Sequence, residues 1–254
     1  MDTWNPTQYE RFRAERRQPF DDLLALVRPQ ADLRILDLGC GTGELTRDLH
    51  RTLRAAATVG LDRSGRMLAR ARDIQEPGLT FVQQDISELP GGIRADLVFS
   101  NAALQWVPDH PALLARLTQA VADGGQLAFQ VPAGHHAIRQ VASVVAATEP
   151  FRSALGGWTR GDPVLSPEGY AVVLHRLGYR EQHVRLQIYP HVLPSRDDVV
   201  EWVKGTLLTA YEGRMPAGLY AQFLDAYRER LFAEIEDTRP FFYPFARILC
   251  RAVR

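Results

Sequence analysis

The sequence predicts an α/β protein with a doubly wound, mostly parallel seven-stranded sheet, helices on both faces and a small helical cap. Three observations predict it. Strand-like and helix-like runs alternate from Arg34 to Val131, which calls for right-handed crossovers and parallel strands. The strands are almost continuously apolar, as in Leu97-Val98-Phe99, so helices must cover both faces of the sheet. The stretch Leu36-Asp37-Leu38-Gly39-Cys40-Gly41-Thr42-Gly43 ends one strand, turns tightly and opens a helix, with three alternate glycines where a ligand can lie against bare backbone.

The elements follow in order. Residues 7–28 read as a helix, because Tyr9, Phe12, Phe20, Leu23, Leu24 and Val27 recur at spacings of three and four with charges between them. Arg34–Leu38 is a strand and Glu44–Leu53 a helix; Thr58–Asp62 is a strand and Gly65–Asp73 a helix. Leu79–Gln84 and Asp96–Asn101 are strands, Pro111–Ala122 a helix and Gln126–Val131 a strand. Glycines and prolines between 132 and 168 suggest a flexible connection around one helix at Ile138–Thr148. Tyr170–Leu177 reads as a helix and Gln182–Tyr189 as a strand. Asp197–Leu208 and Leu219–Ile235 form a helical pair that caps the sheet, and Phe245–Val253 closes it as a strand. The expected division is a helical lid at 1–30, a cofactor-binding core at 30–135, substrate-side helices and cap at 136–243 and a terminal strand at 244–254.

Composition narrows the function. Net charge is zero, so no overall field steers the chain toward nucleic acid or an anionic membrane. No run approaches the roughly 20 apolar residues of a membrane span. Cys40 and Cys250 are the only cysteines, with no metal-ligand spacing, which fits a reducing, cytoplasmic setting and no metal. Lys204 is the only lysine, so a carboxylate-binding site here uses guanidinium forks. A monomer or weak homodimer is expected.

The glycine turn departs from the dinucleotide pattern, which places a third glycine three positions after the second; Glu44 stands there instead. A glutamate beside the helix start repels a pyrophosphate, which binds there through amides and the positive helix end. The turn is suited to an uncharged nucleoside. It resembles the first motif of S-adenosylmethionine-dependent methyltransferases with a Rossmann-like fold.

In such sheets, ligands bind at the carboxyl ends of the strands near the reversal of strand order. Asp62 ends the second strand, about twenty residues after the turn, where a carboxylate can accept from both ribose hydroxyls. Asp85 ends the third strand and, with Ile86, can receive an adenine amino group and pack on the ring. Asn101 ends the fourth, with Gln105 and Trp106 on the same loop, where an acceptor meets a bound cofactor. The expected cofactor-binding residues are Asp37, Gly39, Cys40, Gly41, Gly43, Asp62, Arg63, Met67, Asp85, Ile86 and Asn101. Gln105, Trp106, His135, Arg139 and Tyr243 are the candidate acceptor contacts, the first three also being candidates for catalysis. Arg16, Arg139, Arg160 and Arg247 can each clamp a carboxylate, and His136 can join His135 at the pocket. His50, His175 and His183 read as surface or helix-face residues.

The resemblance reaches further. Trp4-Asn5-Pro6 with Tyr9, Phe12, Glu15 and Arg16, the glycine turn, and above all Asn101-Ala102-Ala103-Leu104-Gln105-Trp106-Val107-Pro108-Asp109-His110 are similar to the trans-aconitate 2-methyltransferase family. Pro194-Ser195, Glu201-Trp202-Val203-Lys204-Gly205-Thr206 and Pro244-Phe245-Ala246-Arg247 extend the similarity to nearly the whole chain. It implies transfer of a methyl group from S-adenosylmethionine to a carboxylate of a small acid, with no general base, and an N-terminal segment folding over the cofactor. Two stretches depart from it. Leu207-Leu208-Thr209-Ala210 stands where the family has a Gly-Leu-Arg-Pro run, so an arginine is absent. Ala133-Gly134-His135-His136-Ala137 replaces an asparagine and a Pro-Ser/Thr-His segment. The alternatives are a natural-product O-, N- or C-methyltransferase of the same fold, where a histidine base can serve, and a non-catalytic S-adenosylmethionine-binding protein. A nucleic-acid amino methyltransferase wants Asn-Pro-Pro after the fourth strand, which Asn101-Ala102-Ala103 does not supply.

Overall fold

Residues 13–133 and 136–254 are described by a computed structural model. Within them the strands are β1 (Arg34–Leu38), β2 (Ala57–Asp62), β3 (Leu79–Gln83), β4 (Ala95–Asn101), β5 (Val121–Pro132), β6 (Glu181–Leu193) and β7 (Phe241–Val253). They form one sheet in the order β3-β2-β1-β4-β5-β7-β6. Neighbours from β3 to β5 pair in parallel, and β7 runs antiparallel to both β5 and β6. Strand order reverses between β1 and β4, which opens a crevice at their carboxyl ends.

Side chains alternate between the two faces of each strand, and the helices divide accordingly. Ile35, Leu97, Phe99, Ala128 and Leu249 share a core with Phe20 and Leu23 of α1 (Arg13–Leu24) and Leu49 of α2 (Glu44–Leu53). On the other face, Leu36, Val98, Leu127 and Phe129 pack with Leu113 and Leu117 of α4 (His110–Ala120) and with Tyr170 and Leu174 of α7 (Pro167–Arg176). Between them in sequence lies α3 (Gly65–Arg72), whose Leu68 and Ala71 cover Leu79 and Phe81 of β3. Ser64, Asp109 and Ser166 cap α3, α4 and α7 by accepting from the first-turn amides of Met67, Ala112 and Gly169. The doubly wound, mostly parallel sheet is as expected.

The cap is a separate hydrophobic cluster. It joins α5 (His136–Ala146) and α6 (Phe151–Ala154) to α8 (Asp197–Lys204), α9 (Thr209–Glu212) and α10 (Ala217–Glu234) around Trp202, Tyr211, Phe223, Tyr227 and the ends of β6 and β7. The helix expected over 197–208 stops at Lys204, and Gly205 separates it from α9. Glycine gives up more conformational freedom than any other residue inside a helix, so the break falls there. β6 and β7 both run longer than expected. They continue as a hairpin beyond the sheet, pairing Pro190 with Pro244 and Leu193 with Phe241. The expected strands stop at Tyr189 and begin at Phe245, beside those prolines, and the pairing runs through both. The helix expected over 7–28 spans Arg13–Leu24, and Trp4, Tyr9 and Phe12 lie outside the described residues.

The turn after β1 is held from beneath. The amides of Gly39 and Cys40 both donate to the Leu61 carbonyl at 2.7 and 2.9 Å. A Cβ on Gly39 would stand 2.2 Å from the Ala103 Cβ, and one on Gly43 2.6 Å from the Phe81 ring. A Cβ on Gly41 would meet nothing within 4 Å. The crowding lies on the Cβ side of Gly39 and Gly43, so both are required by their protein neighbours, whereas Gly41 has open space in that direction. Gly39 and Gly41 both have positive φ, 77° and 57°, so an alanine is strained at either. Only Gly39→Ala also meets a side chain from another segment. It should lose about 1–3 kcal/mol more stability than Gly41→Ala in urea unfolding; equal losses would show that the contact with Ala103 relaxes freely.

Candidate functional site

Two cavities adjoin at the carboxyl ends of the strands. The first encloses about 880 Å³, open mouth included, beside the turn after β1, with Gly39, Asp62, Met67, Asp85 and Ile86 on its wall and Arg63 at its edge. The second encloses about 830 Å³ under the cap, between β4, β5, β7 and α8, and its wall includes Gln105, Gln130, Arg139, Arg160, Tyr243 and Arg247. Asn101, Ala102 and Trp106 line both. An open groove runs past Arg63, Trp106, Arg160, Trp158 and Arg214 and reaches the rim of each.

In the first cavity, the strand ends place the acids. Asp62 at the end of β2 accepts from the Gly41 amide at 2.9 Å with one oxygen and from the Ser64 amide at 2.8 Å with the other. It thereby ties the glycine turn to the start of α3 while remaining on the wall. Asp85 follows β3 and caps the short 3-10 turn Ile86–Glu88, accepting from the Ser87 amide and hydroxyl. The Ser87 hydroxyl in particular holds the Asp85 carboxyl below its ordinary range. Asp37 stands behind the turn rather than on the cavity wall. It is buried and accepts from the Thr46 hydroxyl at 2.6 Å. Burial pushes its pKa up to about 7, against the pull of Thr46 and with a further push from Asp62. Cys40 is a free, half-buried thiol whose pKa burial drives upward, so it carries no thiolate chemistry.

The second cavity gathers cations. Arg139 from α5 pairs with Asp162 at 2.6 Å. Arg160, from the segment after α6, donates to the Leu207 carbonyl at 2.8 Å and lies 4.9 Å over the Trp106 ring. Burial, aided by the like charge of Arg139, lowers its pKa to about 10, so it stays a cation at neutral pH. Arg247 on β7 is buried, lies over the Phe245 ring and donates to Gln130 at 2.9 Å. No Asp or Glu lines this cavity among the described residues. Tyr243 is buried on the same wall, and burial pushes its hydroxyl pKa up. Gln105 is buried, and its amide nitrogen donates to the Ala102 carbonyl at 2.7 Å.

Of the residues expected from sequence, the structure brings Asp62, Arg63, Met67, Asp85 and Ile86 to one cavity and Gln105, Arg139 and Tyr243 to the other, with Asn101 and Trp106 on both. Three of the four candidate clamp arginines share that second wall. His135 lies outside the described residues, as do the side chains of Arg16 and His136. Of the two readings given for His50, surface or helix face, the structure shows the second: it lies on α2, buried against Thr58. Two groups escaped notice. Gln130 is a buried polar residue inside the apolar run Leu127-Ala128-Phe129-Gln130-Val131, and that incongruity was its signal. His110 is buried, bonded to the Tyr170 hydroxyl through Nδ1 and to the Leu104 carbonyl through Nε2 at 3.0 Å, so it pins the short turn carrying Gln105 and Trp106. Among the described residues no cluster can hold a metal ion, and no helix is long and apolar enough to cross a membrane.

Comparison with known proteins bears on the family and the fold. Residues 9–184 match a family described as a methyltransferase domain. The chain is 45% identical to a trans-aconitate 2-methyltransferase of Deinococcus radiodurans, covering 99% of this chain and 98% of that protein. It is 38% identical to one of Streptomyces coelicolor, covering 98% and 86%. Among solved structures, the YcgJ protein of Bacillus subtilis superposes with a TM-score of 0.62 over 94% of this chain and 98% of its own, at 14% identity, a likeness of fold.

The buried Asp37 predicts a pH dependence. Its native pKa of about 7 lies above its ordinary 3.8. Between those values the unfolded chain has released a proton that the folded protein still holds, so raising the pH favours unfolding. Stability attributable to Asp37 is intact below the lower value, falls across the window and is fully lost above the upper one, by about 1.4 kcal/mol for each pH unit that separates the two. The ligand-free wild type should therefore lose stability relative to Asp37→Asn between pH 5 and 7.5 in urea unfolding. A constant difference across that range would show that Asp37 is ionised throughout.

Proposed function

Because the chain belongs to the methyltransferase-domain family and, among S-adenosylmethionine-dependent class I enzymes, to the trans-aconitate 2-methyltransferases, we propose that it methylates a carboxylate of trans-aconitate or a similar small acid. The observation that carries this reading is the convergence of Arg139, Arg160 and Arg247 on a cavity with no carboxylate of its own among the described residues. Three cations brought together from three distant segments suit a ligand bearing more than one carboxylate. The arginine absent from 207–210 has a stand-in, since Arg160 binds the Leu207 carbonyl and faces the same space.

The first cavity fits the cofactor on its own chemistry. Its wall carries the carboxylates of Asp62 and Asp85 beside Arg63, Ser87 and Asn101 and no lysine, and Asp37 behind it is a buried acid whose hydrogen-bond partner is a neutral hydroxyl. In this reading Asp62 would hold the ribose hydroxyls, Asp85 and Ile86 the adenine, Met67 and the backbone of Gly39 the purine and sugar edges, and Asp37 would favour the ammonium of the amino-acid part. Cys40, Gly41 and Gly43 contribute the shape of the turn. When bound, S-adenosylmethionine supplies an electrophilic methyl group on a positively charged sulfur. The protein contributes positioning. The arginines anchor the acid, Trp106 with its stacked Arg160 closes the space between the cavities, and Gln105 and Tyr243 shape the acceptor wall. A carboxylate is ionised at neutral pH, with an ordinary pKa of about 4, so no side chain has to remove a proton. Holding two reactants in line can contribute about 7–11 kcal/mol to the rate.

A labelled-methyl assay against di- and tricarboxylic acids, hydroxylated aromatics and amines should yield methyl esters of acids alone; label confined to nitrogen or carbon would refute the acceptor assignment. Arg160→Met should raise the acceptor KM about ten- to a hundredfold, the loss of a charge-assisted hydrogen bond. By contrast, Asp62→Ala should weaken binding of S-adenosylhomocysteine by about 1–3 kcal/mol in calorimetry, and unchanged affinity would remove Asp62 from the cofactor site.

A further inference from the structure

We infer that Asn101 donates its side-chain N–H to the acceptor carboxylate at the junction of the two cavities, and that Arg247 and Gln130 hold the amide in that orientation. The inference rests on the acid-methylating reading above and specifies how the acid is held at the point of transfer.

The direction follows from what each group is able to do. An amide presents oxygen and nitrogen in nearly the same shape, so its partners decide which way it faces. Arginine only donates. Arg247 Nη1 lies 2.9 Å from Gln130 Oε1, which fixes the Gln130 oxygen on that side and turns its NH₂ the other way. That nitrogen lies 2.6 Å from Asn101 Oδ1. The oxygen of Asn101 is thereby used, and its NH₂ is left for the cavities that Asn101 lines. No hydrogen bond among the described residues uses Asn101 Nδ2. Gln130 and Arg247 are 1% and 3% exposed, so water does not compete for the chain of bonds. The backbone reinforces it: the Ala102 amide donates to the Gln130 carbonyl at 3.0 Å, tying the loop after β4 to β5 at the same point.

Two of these three residues, Gln130 and Arg247, line only the second cavity, so the donor is supported from the acceptor side. A donor there suits the carboxylate oxygen that is not methylated. The other oxygen keeps its lone pair and forms the bond to the methyl carbon as the carbon–sulfur bond breaks, the electron pair staying on sulfur. The oxygen held by Asn101 becomes the ester carbonyl and still accepts, so the bond persists through the transfer and no proton moves. Asn101 is an acceptor-binding residue in this scheme, and Gln130 acts through it as a positioning residue.

The test is a calorimetric titration of trans-aconitate into protein saturated with S-adenosylhomocysteine, for wild type, Asn101→Ala, Asn101→Asp, Gln130→Met and the pair Asn101→Ala/Gln130→Met. Each single substitution should weaken acceptor binding about tenfold or more. Asn101→Asp should be worse than Asn101→Ala, because it sets an anion against an anion. The pair should bind no more weakly than Asn101→Ala alone, because Gln130 acts only through Asn101. Because Asn101 also lines the first cavity, affinity for S-adenosylhomocysteine is measured for each variant and should fall by a smaller factor than affinity for trans-aconitate. Additive losses, or a loss of S-adenosylhomocysteine affinity with trans-aconitate binding kept, overturn the inference. Should Gln130→Met fail to fold, the order of Asn101→Asp and Asn101→Ala still decides whether a donor stands at this junction. Wild type that binds no trans-aconitate refutes the reading on which the inference rests.

Discussion

Two segments meet in this protein with no room for a methyl group between them: the exit of β1 at Gly39 and the loop after β4 at Ala103. The sheet order reverses between these strands, so one chain turns toward β2 and the other toward β5, and the gap between their ends is the crevice. Gly39 and Ala103 are both on the wall of the first cavity, which makes its width a property of that contact. From the same contact the turn reaches down to Leu61 and across to Asp62, while the β4 loop passes directly into the turn that His110 pins. The two cavities take their positions from one close approach.

Around that fixed junction the acids lie on one side only. Asp37, Asp62 and Asp85 stand by the first cavity, with Arg63 at its edge, and Arg139, Arg160 and Arg247 by the second, whose wall has no acid among the described residues. The raised pKa of Asp37 and the lowered pKa of Arg160 have one cause, burial of an ion that the fold does not fully compensate. Each side is thus relieved by a ligand of the opposite charge. A sulfonium on one side and a carboxylate on the other meet that requirement, and the transfer proposed here neutralises both at once.

The first cavity was legible in the sequence because its polar residues lie in chain order at successive strand ends, from Asp62 through Asp85 to Asn101. A periodic pattern locates the strand, and the polar residue that breaks it locates the site. The second cavity was legible only as candidates. Arg139, Arg160 and Arg247 come from a helix, an irregular segment and a strand, and nothing local distinguishes them from the many solvated arginines of this chain. Gln130 was visible as an oddity inside an apolar strand but had no partner until β7 was laid beside β5. Pro190 and Pro244 hid the hairpin extension for a related reason: whether a proline ends a strand depends on which edge its nitrogen faces, and that is decided by pairing.

The departure at Leu207-Leu208-Thr209-Ala210 then has a physical reading. What an anionic ligand needs is a cation at a place in the cavity, and the chain offers more than one route to that place. Arg160 arrives from a segment some forty residues earlier, anchors on the carbonyl of Leu207 and spreads over Trp106, the residue that both cavities share. A guanidinium held by two contacts in this way has little freedom left to lose when an acid binds, which lowers the entropic cost of using it. Its position over Trp106 joins the walls of the two cavities in one packed unit. The stretch 207–210 carries no arginine, and Arg160, bonded to the Leu207 carbonyl, sets a cation beside it.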